Sequence, residues 1–372
     1  MEIKDEPFLS PHEQLGIHSF QQRFPWFGGD LQTLRDTFAF ERLPLDKGKE
    51  IEIEVPALPS GENLSGKLLA FFNSPPDISK TKGLVLLLHG LGGSSRRLGL
   101  RRMAGCLIQA DFAVLRLNLR GADPCRHLVG GTYAAECNSD LLPVLLLARQ
   151  LCNQLSVGMN PYRGSIPLFG VGISLGGTIL LNACLKQNYL SGREKPLLDG
   201  LVCTSSPLDL AACSKYIERP RNAIYQRWLL KRLVRQTISD PWVIDKPDNN
   251  IFASLGKGIS PKTIREFDKA ITAPRWGYKD VETYYLEASP LPKLCEPSVD
   301  IPPALLLQAL DDPWVPSDAA LLLKKKTTSE LYSGLKVVVT KRGGHNGFHG
   351  ISGCWGDLLV RTWLTGLSSK LC

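Results

Sequence analysis

The chain has 372 residues, 43% of them hydrophobic and 22% charged, which suits a folded protein of one or two domains and excludes disordered or collagen-like classes. The formal net charge of +8, from 44 basic and 36 acidic residues spread along the chain, favours an anionic ligand or surface only mildly and argues for no nucleic-acid partner. The ten cysteines show no C-x-x-C pair and no regular spacing, so reduced thiols of a cytosolic protein are expected rather than a disulfide framework or a zinc site. The N-terminal "MEIKDEPFLSPHEQ" lacks the apolar stretch of a secretory signal. The longest apolar runs, such as "LLPVLLLA" at 141–148, are too short to span a membrane. A cytoplasmic location, with peripheral membrane contact at most, is therefore expected.

In chain order, residues 1–48 read as an extension packing on a core. "EIEIEV" (50–55) alternates like a half-buried strand, and "KLLAFF" (67–72) suits its neighbour. "GLVLLLHG" (83–90) is a continuous apolar run closed by glycine, the pattern of a strand buried on both faces. "AVLRLNLRG" (113–121), "PLFGVGIS" (167–174), "GLVCTSS" (200–206), "PALLLQAL" (303–310) and "LKVVVTKRGG" (335–344) resemble it. Helical patterns fall between them at Arg96–Ala110, Glu136–Leu155, Leu175–Lys186 and Ser317–Lys326, with a last one at Trp355–Leu367. Such alternation predicts an α/β fold with a mostly parallel central sheet flanked by helices. The rhythm stops between Pro207 and Ser289. The expected organisation is a core in two parts, 49–206 and 290–372, interrupted by a helical cap insertion at 207–289.

"VGISLGGT" (171–178) enters Ser174 as a strand and leaves it as a helix, so Gly172-Ile173-Ser174-Leu175-Gly176 is a G-x-S-x-G sequence on a strand-to-helix turn. Such a turn exposes the hydroxyl at the carboxyl edge of the sheet, beside a helix N-terminus that favours negative charge. Gly172 and Gly176 clear the space where strand and helix nearly collide. A serine nucleophile needs a base, and the base an acid, in the chain order Ser, Asp or Glu, His. Of six histidines only His345 and His349 follow the serine. His345, in the loop directly after "VVVT", is the expected base, and His349 a surface or packing residue. "ALDDPWVP" offers two acids at a strand end. Asp312 is the expected orienting acid, and Asp311 is expected to cap the turn or the following helix. Oxyanion donors are expected from the backbone N–H groups of Leu91, in "HGLGG", and of Leu175. His89 precedes the serine and is expected to shape its loop. No metal ligand set accompanies the adjacent aspartates, and the chemistry requires no metal or organic cofactor.

"GGDLQTL" (28–34), "HGLGGSS" (89–95), "NLRG" (118–121), "GISLGG" (172–177), "EFDKAITAPRWGYKDVETYYLEAS" (266–289), "DDPWVP" (311–316) and "GGHNGF" (343–348) together resemble the YheT-like branch of the α/β-hydrolase superfamily, which includes bacterial hydrolases and eukaryotic abhydrolase-domain lipases. The resemblance spans nearly the whole chain. It implies carboxylic-ester hydrolase activity with a triad of Ser174, Asp312 and His345, and a small-molecule or lipid ester as substrate. The chain departs from the branch at "HGLGG", where an acidic residue often follows the leucine. Acyl transfer on the same fold, or a non-catalytic relative that binds a small molecule or lipid, are the alternatives.

Two basic stretches read in bland and functional ways. Arg96, Arg97, Arg101 and Arg102 suit a solvated helix face more than an anion site. In "RNAIYQRWLLKRLVRQ" (221–236), Ile224, Trp228, Leu229 and Leu233 recur at helical spacing with cations around them. A cap helix packing this stripe on the core is favoured over a lipid-facing lid.

Overall fold

A computed structural model describes residues 10–39, 43–60, 65–159, 164–186, 197–242, 261–297, 299–327 and 334–371. Eight strands form one sheet: β1 (Lys49–Val55), β2 (Gly66–Asn73), β3 (Gly83–Leu88), β4 (Phe112–Leu117), β5 (Leu168–Ile173), β6 (Gly200–Thr204), β7 (Ala304–Ala309) and β8 (Leu335–Thr340). Their spatial order is β1-β2-β4-β3-β5-β6-β7-β8. The β1–β2 and β2–β4 pairs are antiparallel, and every pair from β4 to β8 is parallel. The antiparallel edge holds the strand that alternates in burial, and the doubly buried runs make the parallel part. A strand covered on both faces has no solvent side to which polar residues could alternate.

Each face carries its own core. Leu84, Leu86 and Leu88 of β3 pack on one side with α3 (Asn138–Met159), α4 (Leu175–Leu185) and α8 (Asp318–Lys326). Val85 and Leu87 of the same strand pack on the other with α2 (Leu98–Ile108) and α9 (Trp355–Leu371). β3 ends at Leu88, before the expected Gly90, because the chain must turn there into the glycine loop.

The segment between β6 and β7 carries α5 (Leu210–Ile217), α6 (Ala223–Ile238) and α7 (Val281–Glu287). Residues 243–260 of the expected cap lie outside the described residues. The later part of the insertion is fastened to the core. Trp276 Nε1 donates to Thr132 O at 2.8 Å, Ala135 N to the Tyr284 hydroxyl at 2.9 Å, and Asn182 Nδ2 to Ala288 O at 2.8 Å. Asp240, past the end of α6, is fully buried against Arg126 and accepts Gly131 N at 2.9 Å. The extension contributes α1 (Gly28–Phe38), which seats on the loops that follow β7 and β8.

Three expectations are corrected. Asp311 caps neither turn nor helix. Its Oδ1 accepts Gly344 N at 2.9 Å, tying the loop after β7 to the loop after β8, while Asp312 itself holds the turn. The arginine stretch is not one solvated face. Arg102 turns inward onto Asp36 and Asp357, at 2.7 Å each, while Arg96 and Arg97 line a cleft. The stripe on α6 splits, with Leu229 and Leu233 buried but Ile224 and Trp228 75% and 40% exposed.

Candidate active site

Ser174 directly follows β5 and precedes the first residue of α4, with φ 55° and ψ −127°. This backbone is strained for a residue with a side chain, and it is held by Ser174 N donating to Thr204 O at 2.8 Å. Glycine is required around it for steric reasons. A Cβ on Gly172 would lie 2.3 Å from the Gly177 backbone, and one on Gly176 would lie 2.7 Å from the Leu88 and His89 carbonyl oxygens. Gly177 is also confined, since its Cβ would meet Ser206 Oγ at 2.1 Å and Cys203 Cβ at 2.9 Å.

His345 Nε2 lies 2.9 Å from Ser174 Oγ, and its Nδ1 lies 2.9 Å from Asp312 Oδ2. A carboxylate only accepts, so the proton sits on Nδ1 and leaves Nε2 free to accept from the hydroxyl. Asp312 Oδ1 accepts Trp314 N at 2.8 Å and Val315 N at 3.0 Å, and Gln308 Nε2 donates to Oδ2 at 3.3 Å. Both residues are buried. Their loops are braced from elsewhere. His345 N donates to Thr33 Oγ1 of α1 at 2.8 Å, and Asn346 N to Ser205 Oγ at 3.1 Å. Gly29 and Gly344 permit this seating, because a Cβ on Gly29 would lie 2.0 Å from Asp311 O, and one on Gly344 2.2 Å from Gly29 O.

The glycine loop after β3 leans on Ser174. A Cβ on Gly90 would lie 2.8 Å from Ser174 Cβ. Leu91 follows it and lines the cavity, and Leu175 opens α4, where backbone N–H groups have no intrahelical acceptor. His89 braces the loop. Its Nε2 accepts Leu119 N at 3.2 Å, so its Nδ1 donates to Gly90 O at 2.9 Å. Burial pushes this imidazole down to about 4, so it stays neutral around pH 7. His349 lies away from the serine and is buried beside Asp36 at 3.1 Å rather than on the surface.

Several residues around the serine escaped the sequence reading. Asn118 accepts Ser95 N at 2.9 Å and donates to Leu69 O at 3.1 Å, and the Tyr133 hydroxyl accepts Gly92 N at 2.6 Å. Asp140 is buried and bonded twice to Arg120, at 2.7 and 2.8 Å. Trp314 stacks on His345, with ring centroids 4.5 Å apart and planes at 29°, and meets Tyr225 and Trp228 of α6. The available signal was position, since Asn118 and Arg120 follow the end of a parallel strand and Trp314 stands two residues after the acid.

Two spaces meet at Ser174 and His345. One is a wide cleft of about 740 Å³, bounded by α1, the start of α2 and the start of α6. The other is a narrow chamber of about 120 Å³ walled by Leu210, Ile217, Leu229, Leu233, Phe267 and Tyr284. One carboxyl, Asp268, stands in the chamber wall and accepts the Tyr285 hydroxyl at 2.8 Å. Among the described residues no cluster of three or more His, Cys, Asp or Glu is placed to hold a metal ion, and no disulfide joins described cysteines. No helix among them is long and apolar enough to cross a membrane.

A mostly parallel sheet flanked by helices, with a serine on a glycine-cleared strand-to-helix turn, defines an α/β-hydrolase fold. The chain belongs to the alpha/beta hydrolase family, whose model matches residues 85–352. It is 30% identical over 282 residues to Phospholipase ABHD3 of Mus musculus, a match covering 74% of this chain and 60% of that protein. It is 34% identical over 218 residues to the Putative esterase YheT of Escherichia coli (strain K12), covering 56% of this chain and 58% of that one. The matches thus span about three-fifths of these curated relatives, and bacterial and eukaryotic sides of the YheT-like resemblance are both represented. A solved 2,6-dihydroxy-pseudo-oxynicotine hydrolase shares the fold at 15% identity with a TM-score of 0.51, covering 87% of this chain and 69% of that one.

Proposed function

We propose that the protein hydrolyses carboxylic esters, lipid esters among them, through an acyl-enzyme on Ser174. The observation that carries this reading is the 2.9 Å approach of His345 Nε2 to Ser174 Oγ. His345 takes the serine proton as Oγ attacks the acyl carbon, and returns it to the leaving alcohol. Asp312 holds the imidazole in the tautomer that can accept, and stabilises the imidazolium that forms. The N–H groups of Leu91 and Leu175 receive the oxyanion. Water, deprotonated by His345, then attacks the acyl-enzyme and releases the acid. The narrow apolar chamber suits the acyl chain, and the wider cleft the alcohol. The names phospholipase and esterase borne by the relatives support ester chemistry.

Labelling with a fluorophosphonate probe, alongside hydrolysis of p-nitrophenyl esters of graded acyl length, tests the reading. Both signals should vanish in Ser174→Ala, and their survival would remove Ser174 from the mechanism. Product analysis with added alcohols separates hydrolysis from acyl transfer. An unreactive Ser174 with tight ligand binding would mark a binding relative instead.

A further inference from the structure

The mouth of the wide cleft carries large apolar side chains that face solvent. Phe38 at the end of α1 is 70% exposed, Ile224 on α6 is 75% exposed and Trp228 is 40% exposed, and all three line the cleft. Phe27 and Leu31 continue the α1 side at helical spacing, at 54% and 43% exposed. Single exposed apolar residues are ordinary, but a group contributed by two elements around one opening is the signature of an interaction site.

Cations are interleaved with them. Arg96, Arg97 and Arg232 line the same cleft, and none has a carboxylate within ion-pair distance among the described residues. Their neighbours differ, since Arg221 pairs with Asp30 at 2.9 Å and Arg102 with Asp36 and Asp357. Instead of an acid, Arg232 lies over the Trp228 ring at 4.7 Å and Arg96 over Phe71 at 5.6 Å. Burial and the nearby Arg235 press down on the charge of Arg97 against a smaller opposing pull from Asp123, and an approaching anion would relieve that pressure. Guanidinium groups beside exposed aromatic and branched side chains match a lipid interface, where apolar groups enter the acyl boundary and arginines meet head-group phosphates.

We infer that the rim formed by Phe38, Ile224, Trp228, Arg96, Arg97 and Arg232 docks the protein on an anionic membrane surface. Topology separates this from a protein partner of matching charge. Anything seated on the rim covers the way to Ser174, so a protein there would stopper the cleft, whereas a lipid leaflet would deliver ester to it. That last step rests on the proposed function, but the docking itself does not.

The test is co-sedimentation of full-length Ser174→Ala protein with vesicles of phosphatidylcholine, with and without phosphatidylserine. The absence of catalysis keeps the outcome independent of the ester assay. The protein should pellet with phosphatidylserine vesicles, more weakly with phosphatidylcholine alone, and less as salt rises. Each arginine near an anionic surface accounts for roughly a fivefold change in partitioning. Adding Arg96→Gln, Arg97→Gln and Arg232→Gln together should therefore weaken binding on the order of 100-fold. Phe38→Ser with Ile224→Ser should weaken it on both vesicle types. Unchanged thermal melts establish that these exposed substitutions leave the fold intact. The inference is overturned if the parent stays in the supernatant, or if folded variants pellet as well as it does. It is also overturned if gel filtration shows a dimer that the same substitutions dissociate, which would make the rim an interface between copies.

Discussion

Replacing Asp312 by asparagine probes the proposed mechanism most sharply, because the carboxylate has no room for a donor. Four donors converge on it: the N–H groups of Trp314 and Val315 on Oδ1, and His345 Nδ1 and Gln308 Nε2 on Oδ2. An asparagine can be placed in two ways. With its NH2 toward the turn it faces two buried backbone donors, at a cost of about 1–3 kcal/mol for each group left unpaired. With its NH2 toward His345, the imidazole must present a lone pair at Nδ1 and carry its proton on Nε2. That is the less costly placement, since it opposes one long side-chain contact, from Gln308 Nε2 at 3.3 Å, rather than two buried backbone donors. It also leaves His345 unable to accept the serine proton. This wrong tautomer costs on the order of 10⁴ in kcat, or about 5 kcal/mol of barrier. Asp311→Asn keeps an oxygen for Gly344 N, so its effect should stay within about tenfold. Steady-state hydrolysis of p-nitrophenyl esters by the two variants decides the matter. If Asp311→Asn proves the worse, or Asp312→Asn keeps more than about a tenth of wild-type kcat, the acid has been misassigned.

Gly172→Ala forces a Cβ to within 2.3 Å of the Gly177 backbone, which no rotamer relieves, and should cost about 3 kcal/mol or more. Gly105→Ala, inside α2 with nothing within 4 Å of the new Cβ, should instead stabilise by about 0.5–1 kcal/mol; thermal melts of the pair check both signs. Burial pushes the Asp268 carboxyl up to about 6 from an ordinary value of 3.8, against the opposing pull of hydrogen bonds from Thr272 and Tyr285. The folded protein therefore holds this proton at a pH where the unfolded chain has lost it. The stability so gained is complete below about pH 4 and lost as pH rises to about 6. Asp268→Asn, neutral throughout, should raise Tm at pH 7.5 by an amount on the order of 3 kcal/mol in stability and change it little near pH 4. Equal shifts at the two pH values would contradict that account.

The doubly buried strands β3, β5 and β7 were legible because a strand covered on both faces must be a continuous apolar run. The serine turn was legible because its steric demands fall on adjacent residues, Gly172 to Gly177. What joins distant segments was not. The role of "GGDLQTL" appears only when α1 seats Gly29 against Asp311 and Thr33 against the His345 backbone, contacts about 280 and 310 residues apart in sequence. Asp311 and Asp312 are chemically identical in the chain, and only the positions of Gly344 and His345 give them different partners. The apolar stripe of α6 places large apolar residues on both its buried and its exposed sides. Which of them meets the chamber and which the open cleft depends on where the helix crosses the sheet edge. The sequence alone determined the strand pattern, the serine turn and the candidate residues for its partners, because those rest on local sterics and periodic burial. The tertiary structure alone decided how α1, the acid pair, Trp314 and α6 close around the serine, because their energies come from contacts between segments whose separation along the chain carries no record of them.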